Sequence, residues 1–117
     1  MGRMSRQKGK RGERECASEM GSVFACGARR GVQYQGGPDS PDVVLDGVPV
    51  HVEAKRTETL NIYKALDQAT ADAADGKTPI VWHRRNNHRS VVIVDTWHLV
   101  ELAEAIVAAR QKAADRA

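Results

Sequence analysis

The stretch VHVEAKR, residues 50–56, puts a carboxylate and an ammonium two positions apart near the middle of the chain. Side chains of a strand alternate between its faces. Val50, Val52 and Ala54 therefore make one apolar face, and His51, Glu53 and Lys55 make the other. A half-exposed strand with its polar face in water is one account of this pattern. The other is half of a metal-dependent active site, completed by a nearby acid. Asp42 is placed to be that acid. DVVLDGVPVHVEAK, residues 42–55, has the form of a hairpin, with an Asp46-Gly47 turn between β-branched runs. With that turn as centre, Asp42 lies opposite His51 and diagonal to Glu53, and directly opposed residues share a face. Asp42, His51, Glu53 and Lys55 then fall on one face. Val43, Leu45, Val48, Val50, Val52 and Ala54 fall on the other. Diagonal neighbours sit about 7–8 Å apart, close enough for two carboxylates to converge on one small cation. Magnesium takes one or two carboxylates and keeps several waters. Such a metal offsets phosphate charge and acidifies a water, and a lysine two residues on orients that water or meets developing charge. The chemistry is phosphodiester cleavage.

The elements that must hold these residues are readable in outline. Residues 1–9 are basic, contain glycine and lack periodicity, which reads as a flexible arm. RGERECASEM, 11–20, reads as a helix closed by Gly21, and SVFACGA, 22–28, as a strand. Residues 29–41 form a loop rich in glycine and proline. Pro49 removes one ladder donor and points to an edge position or a bulge. Residues 61–75 make an amphipathic helix capped by Asn61, with Ile62, Ala65, Leu66, Ala69 and Ala73 as its stripe and Gly76 as its end. TPIVWHRR, 78–85, and SVVIVD, 90–95, are strands around an Asn-Asn-His turn. Asp95 or Thr96 caps a last helix that turns Leu99, Val100, Leu102, Ala103, Ile106 and Val107 inward, and the tail after Arg110 frays. Trp82 and Trp97 read as packing residues. The order defines a mixed α/β domain with one central sheet covered by helices.

The chain has 117 residues, which suits one domain. At that size folding buries roughly 65% of the unfolded surface, enough for one core. Aromatic residues are only 4% of the chain, so Val, Ile, Leu and Ala must build it. The net charge is +3 and the pI about 9.1. The cations cluster: Arg3, Arg6, Lys8, Lys10, Arg11 and Arg14 near the start, then Arg29–Arg30, Lys55–Arg56 and Arg84–Arg85. Clustered cations point to a polyanion, most often nucleic acid. Arg29 and Arg30, before the glycine-rich loop, suit phosphate contacts. No run of 18 apolar residues predicts a membrane span, and no apolar segment marks a signal peptide. Cys16 and Cys26 make neither a disulfide framework nor a zinc site, and read as free thiols of a cytosolic protein.

Two motifs together resemble a known family. Pro41-Asp42, ten intervening residues and Glu53-Ala54-Lys55 match the pattern of the PD-(D/E)XK nuclease superfamily. KGKRGERE, 8–15, is similar to the KGxxxERE opening of archaeal-type Holliday junction resolvases, with Lys8, Gly9, Glu13, Arg14 and Glu15 matching in place. The resemblance covers roughly residues 8–75. It implies a restriction-endonuclease-like domain over 10–110, with a central mixed sheet flanked by helices. It implies a magnesium site, open to manganese, on Asp42, Glu53, Ala54 and Glu13, with Lys55 catalytic. It also implies a structure-selective endonuclease acting as a homodimer on branched DNA, in a prokaryotic or virus-infected cytoplasm. Gln68, thirteen residues after Lys55, matches a glutamine of several branches, including the virus-type replication-repair nucleases that would act on flaps or nicked duplex. Arg3, Arg6, Lys8, Lys10, Arg11, Arg29, Arg30 and Arg56 are the expected DNA contacts. Asp39 is an alternative acid to Asp42, and a non-catalytic nucleic-acid-binding module is the reading from a different class.

Overall fold

The computed structural model describes residues 2–31 and 41–117, with side chains of the first helix from residue 9 onward. The elements run α1 (Gly2–Phe24), β1 (Ala28–Arg30), β2 (Val43–Leu45), β3 (Val50–Arg56), α2 (Ile62–Asp72), β4 (Thr78–Arg84), β5 (Val91–Ile93) and α3 (Leu99–Arg116). A 3₁₀ turn, Thr96–His98, leads into α3. The strands form one sheet in the order β1-β2-β3-β4-β5. β3 and β4 are parallel and the other neighbours antiparallel. A parallel pair needs a crossover, and α2 supplies it. This is the expected mixed α/β domain.

The two faces of the sheet are covered unequally. On one, Cys16, Ala17, Met20 and Phe24 of α1 and Leu102, Ala105 and Ala109 of α3 pack on Val43, Leu45, Val50, Val52, Ile80 and Trp82. On the other, Ala65, Leu66 and Ala69 of α2 pack on Val81. Period-two alternation along β4 sends Ile80 and Trp82 to the larger core and Val81 to the smaller.

Several boundaries differ from the sequence reading. The first helix starts at Gly2, not 11, and takes in the residues read as an arm: Arg, Lys, Gln and Met are good helix formers and carry the helix across Gly9 and Gly12. It also runs past Gly21 through Phe24, so residues 22–24 are helix and the strand is confined to Ala28–Arg30. Pro49 is neither on an edge nor in a bulge. It sits just before the central strand β3, where its missing N–H costs no ladder bond and its carbonyl accepts from Thr78 N at 2.9 Å. The last helix continues to Arg116, because its Ala-, Gln- and Lys-rich end favours helix. Its buried stripe is Leu102, Ala105 and Ala109, while Leu99, Val100 and Val107 are exposed. The shift arises because α3 meets the rest of the molecule along a narrow side, against α1. Trp97 is 85% exposed and does not pack, whereas Trp82 is fully buried as expected.

The end of α1 is a Schellman motif. Cys26 N donates to Gly21 O at 3.0 Å and Ala25 N to Ser22 O at 3.4 Å. This requires a left-handed residue, and Ala25 takes φ 50°. An alanine there carries a Cβ penalty of roughly 1–2 kcal/mol, which glycine escapes at some cost in chain entropy. Ala25→Gly is therefore expected to stabilise the protein by about 0.5–1 kcal/mol in urea unfolding. A variant of lower stability would mean that the left-handed strain is absorbed elsewhere.

Candidate active site

β2 and β3 bring the two acids together. Val43 pairs with Val52, a register two residues beyond the one that a tight Asp46-Gly47 turn would set. The connection is longer than a two-residue turn, spanning Asp46 to Pro49. A slip of two preserves the faces, since only an odd slip inverts them. Asp42 consequently stands opposite Glu53 rather than diagonal to it, and the acids come closer than expected. Asp42 N donates to Val52 O at 2.9 Å, and Ala54 N donates to the Asp42 carboxylate Oδ2 at 2.8 Å. The carboxyl groups of Asp42 and Glu53 hydrogen-bond each other. His51 Nε2 donates to Glu53 Oε1 at 2.7 Å. His51 is 1% exposed and Glu53 6%, which rules out a polar face open to water at these positions.

Buried acids in contact cannot both ionise freely. Burial, then the Glu53 charge and the hydrogen bond to Glu53, push Asp42 up to about 7, with the charge of Glu13 adding and the Ala54 N–H opposing. Burial alone would raise Glu53 as well. Hydrogen bonds from His51 and Asp42 and the positive charges of His51 and Lys55 outweigh it and hold Glu53 below its usual value. Of the two, Asp42 is the harder to ionise.

Glu13 joins this pair electrostatically from α1, as its effect on Asp42 records. Arg30 Nε donates to Glu13 Oε1 at 2.9 Å. The helix reaches that depth because residue 12 is glycine. A Cβ on Gly12 would come within 2.5 Å of the Arg56 Cβ on β3. Glu15, the second acid of the ERE triplet, bonds Arg84 and also faces Arg56 Nε at 3.5 Å. Glu19 accepts from Trp82 Nε1 at 2.8 Å and from the Ser90 hydroxyl. The sequence reading missed Glu19, although its i+4 spacing from Glu15 marks one face of the helix. Cys16 is fully buried beside these acids. Burial, with the charges of Asp42, Glu19 and Glu13, pushes its thiol far up, so it packs as a small apolar residue.

Other expected residues are distributed differently. Lys55 is half-buried on the same strand face as Glu53. Gln68 is exposed on α2. Asp39 and the side chains of Arg3, Arg6 and Lys8 lie outside the described residues. Lys10 and Arg11 are exposed on α1. Arg29 pairs with Asp46, Arg30 with Glu13, and Arg56 with Glu15 and the Arg84 carbonyl. Arg30 and Arg56 thus tie α1 to the sheet, and a phosphate would have to compete with these partners.

Among the described residues no group of three or more His, Cys, Asp and Glu side chains forms a metal cage. Magnesium does not require one, since one or two carboxylates and several waters suffice. The Asp42–Glu53 pair fits that need chemically. It supplies oxygen donors that repel each other when both are ionised, and a cation held between them would relieve that repulsion. Comparison with protein-family models, with curated proteins and with solved structures finds no match to this chain.

The raised Asp42 has a consequence for stability. Between its unfolded value near 3.8 and its folded value near 7, the folded chain holds a proton that the unfolded chain has released. The stabilisation is full below the lower value and is lost as pH rises through the upper one. Without metal, the protein is expected to be less stable at pH 8 than at pH 5 by about 1–3 kcal/mol from this group. Magnesium should restore stability at pH 8 and do little at pH 5. Thermal melts of wild type and Asp42→Asn test this. The variant should lose both the pH and the magnesium dependence, and equal dependence in the two proteins would contradict the assignment.

Proposed function

We propose that the chain is a magnesium-dependent, structure-selective endodeoxyribonuclease, with a four-way DNA junction as its substrate. One observation carries the reading. The half-buried Asp42 carboxyl, just before β2, meets the buried Glu53 carboxyl of β3, with Lys55 on the same strand face and the charge of Glu13 close by. A fold stabilised for its own sake gains nothing from placing like charges there, whereas a cation site does. Asp42, Glu53 and the main chain of Ala54 would hold the metal, with Glu13 adding negative charge. A bound magnesium ion would neutralise phosphate and lower the pKa of a water. His51 fixes the Glu53 carboxylate. Lys55 meets the charge that grows on the phosphate as the bond breaks. The resolvase resemblance adds a homodimer, since two sites related by a two-fold axis match a symmetric junction. Two unpaired cysteines, Cys16 and Cys26, agree with a reducing cytoplasm. No helix among the described residues is long and apolar enough to cross a membrane.

The test is incubation with magnesium and labelled junction, flap, nicked duplex and matched duplex. Paired nicks in the junction are the expected product. Preferential cutting of the flap or nicked duplex would assign a different substrate to the same site, and absence of cutting with retained binding would make the chain a binding module. Lys55→Ala is expected to slow single-turnover cleavage about 10²–10³-fold at saturating DNA. If affinity collapsed and the saturated rate did not change, Lys55 would be a phosphate anchor instead.

A further inference from the structure

The β4–β5 turn carries Arg85, His88 and Arg89, all exposed. It is braced from several directions. Asn86 N donates to Glu58 Oε2 at 2.8 Å, from the loop between β3 and α2. Arg84 Nε donates to the His88 carbonyl at 2.9 Å, while its guanidinium is held by Glu15. His88 N donates to the Arg85 carbonyl at 3.3 Å, and Asn87 takes the left-handed φ of 63° that closes the turn. A turn present only for solubility needs no such fixing. Among the described residues neither Arg85 nor Arg89 is in an ion pair, so their charge is available.

Two hollows flank the turn and share His88 and Arg89. One, of about 470 Å³, is lined by Thr59, Leu60, His83 and Arg85. The other, of about 540 Å³, is lined by Glu19, Arg84, Asn87 and Ser90. The first is lined by His83, the β4 partner of Lys55, and also by the Glu58 that braces the turn. In the parallel register His83 pairs with Lys55, so both side chains leave the same face of the sheet, on strands about 4.8 Å apart. A chain of phosphates crossing Lys55 would next meet His83, then Arg85 and Arg89.

We infer that the β4–β5 turn is a phosphate-gripping surface for a nucleic-acid strand, with Arg85 and Arg89 contacting the backbone beyond the Glu53–Lys55 face. The contacts are to backbone and carry no base sequence. Preorganisation lowers the ordering cost of each contact, which gives the bracing hydrogen bonds their purpose. The direction of the strand rests on the nuclease reading, but gripping itself does not require cleavage.

The test measures binding of the full chain to a labelled four-way junction in EDTA, across a salt titration. Arg85→Ala/Arg89→Ala is compared with Lys112→Ala/Arg116→Ala, which removes the same charge from α3. Each lost phosphate contact on duplex arms should make the slope of log affinity against log salt shallower by about 0.9. The arginine variant is expected to lose up to about two such steps and at least tenfold in affinity at moderate salt, and the α3 variant to keep the wild-type slope. Equal losses in both variants would mean that only net charge matters, and a wild-type slope in the arginine variant would mean that the turn never touches phosphate; either overturns the surface. Should the double variant melt early, Arg85→Gln and Arg89→Gln singly carry the comparison, each expected to lose about one step. Wild-type cleavage in magnesium separates this result from the nuclease reading. No cleavage with an arginine-dependent slope leaves the surface standing and the nuclease reading fallen. Cleavage with an arginine-independent slope does the reverse.

Discussion

Glu53→Gln is expected to fold normally, bind a four-way junction and fail to cut it. The predicted loss is more than about 10³ in rate, because in the proposed mechanism this carboxylate would hold the metal. Asp42→Asn should do the same. Affinity should hold in either variant, since the neutral amide adds no charge that would repel phosphate. The side-chain amide introduced by Glu53→Gln can still accept from His51 Nε2, so the local hydrogen bond survives the change. Excess EDTA should silence the wild-type protein to the same degree. Full cleavage by the Glu53→Gln protein, or by wild type in EDTA, would remove the metal from the mechanism.

Trp82→Ala is expected to be the most destabilising single change in the domain, at about 3–5 kcal/mol. Trp82 is wholly buried at the centre of the larger core, and its indole N–H donates to Glu19. Truncation opens a cavity and leaves a partly buried carboxylate short of one donor. Domains of this size have total stabilities of roughly 5–15 kcal/mol, so the variant approaches the unfolding limit at 37 °C. Trp82→Phe keeps most of the volume and loses the hydrogen bond, and should fall between the two. Equilibrium denaturation measures all three proteins. A cost below about 1 kcal/mol for Trp82→Ala would mean that α1 and α3 collapse into the space.

The chemistry-bearing face was legible because strand alternation is strict. Val50 and Val52 against His51 and Glu53 read directly as two opposite faces, although both faces prove buried, and the Asp46-Gly47 turn announced the hairpin. Its register was not legible, because the sequence does not say whether Val48 and Pro49 belong to the turn or the strand. The error was even, so the face survived it and Asp42 moved closer to Glu53. Helix ends were harder. Gly21 resembles a cap but lies within α1, while the residue in the capping conformation is Ala25, which nothing in its type reveals. Charge was the least legible. Arg30 and Arg56 look free for phosphate in a linear reading, and only the packing of α1 shows that Glu13 and Glu15 already engage them. Trp97 sits in the 3₁₀ turn before α3 and stays exposed, which its residue type does not announce.

The glutamates of α1 have a mechanical meaning when taken together. Glu13 is fastened to Arg30 on β1, Glu15 to Arg56 and Arg84 at the ends of β3 and β4, and Glu19 to Trp82 and Ser90. A strut fastened at one point swivels, and one fastened at two can still roll about the line between them. Fastened at three points spread across the sheet, it has no free axis left. The tip of Glu13 therefore inherits its position from the sheet as much as from its own side chain.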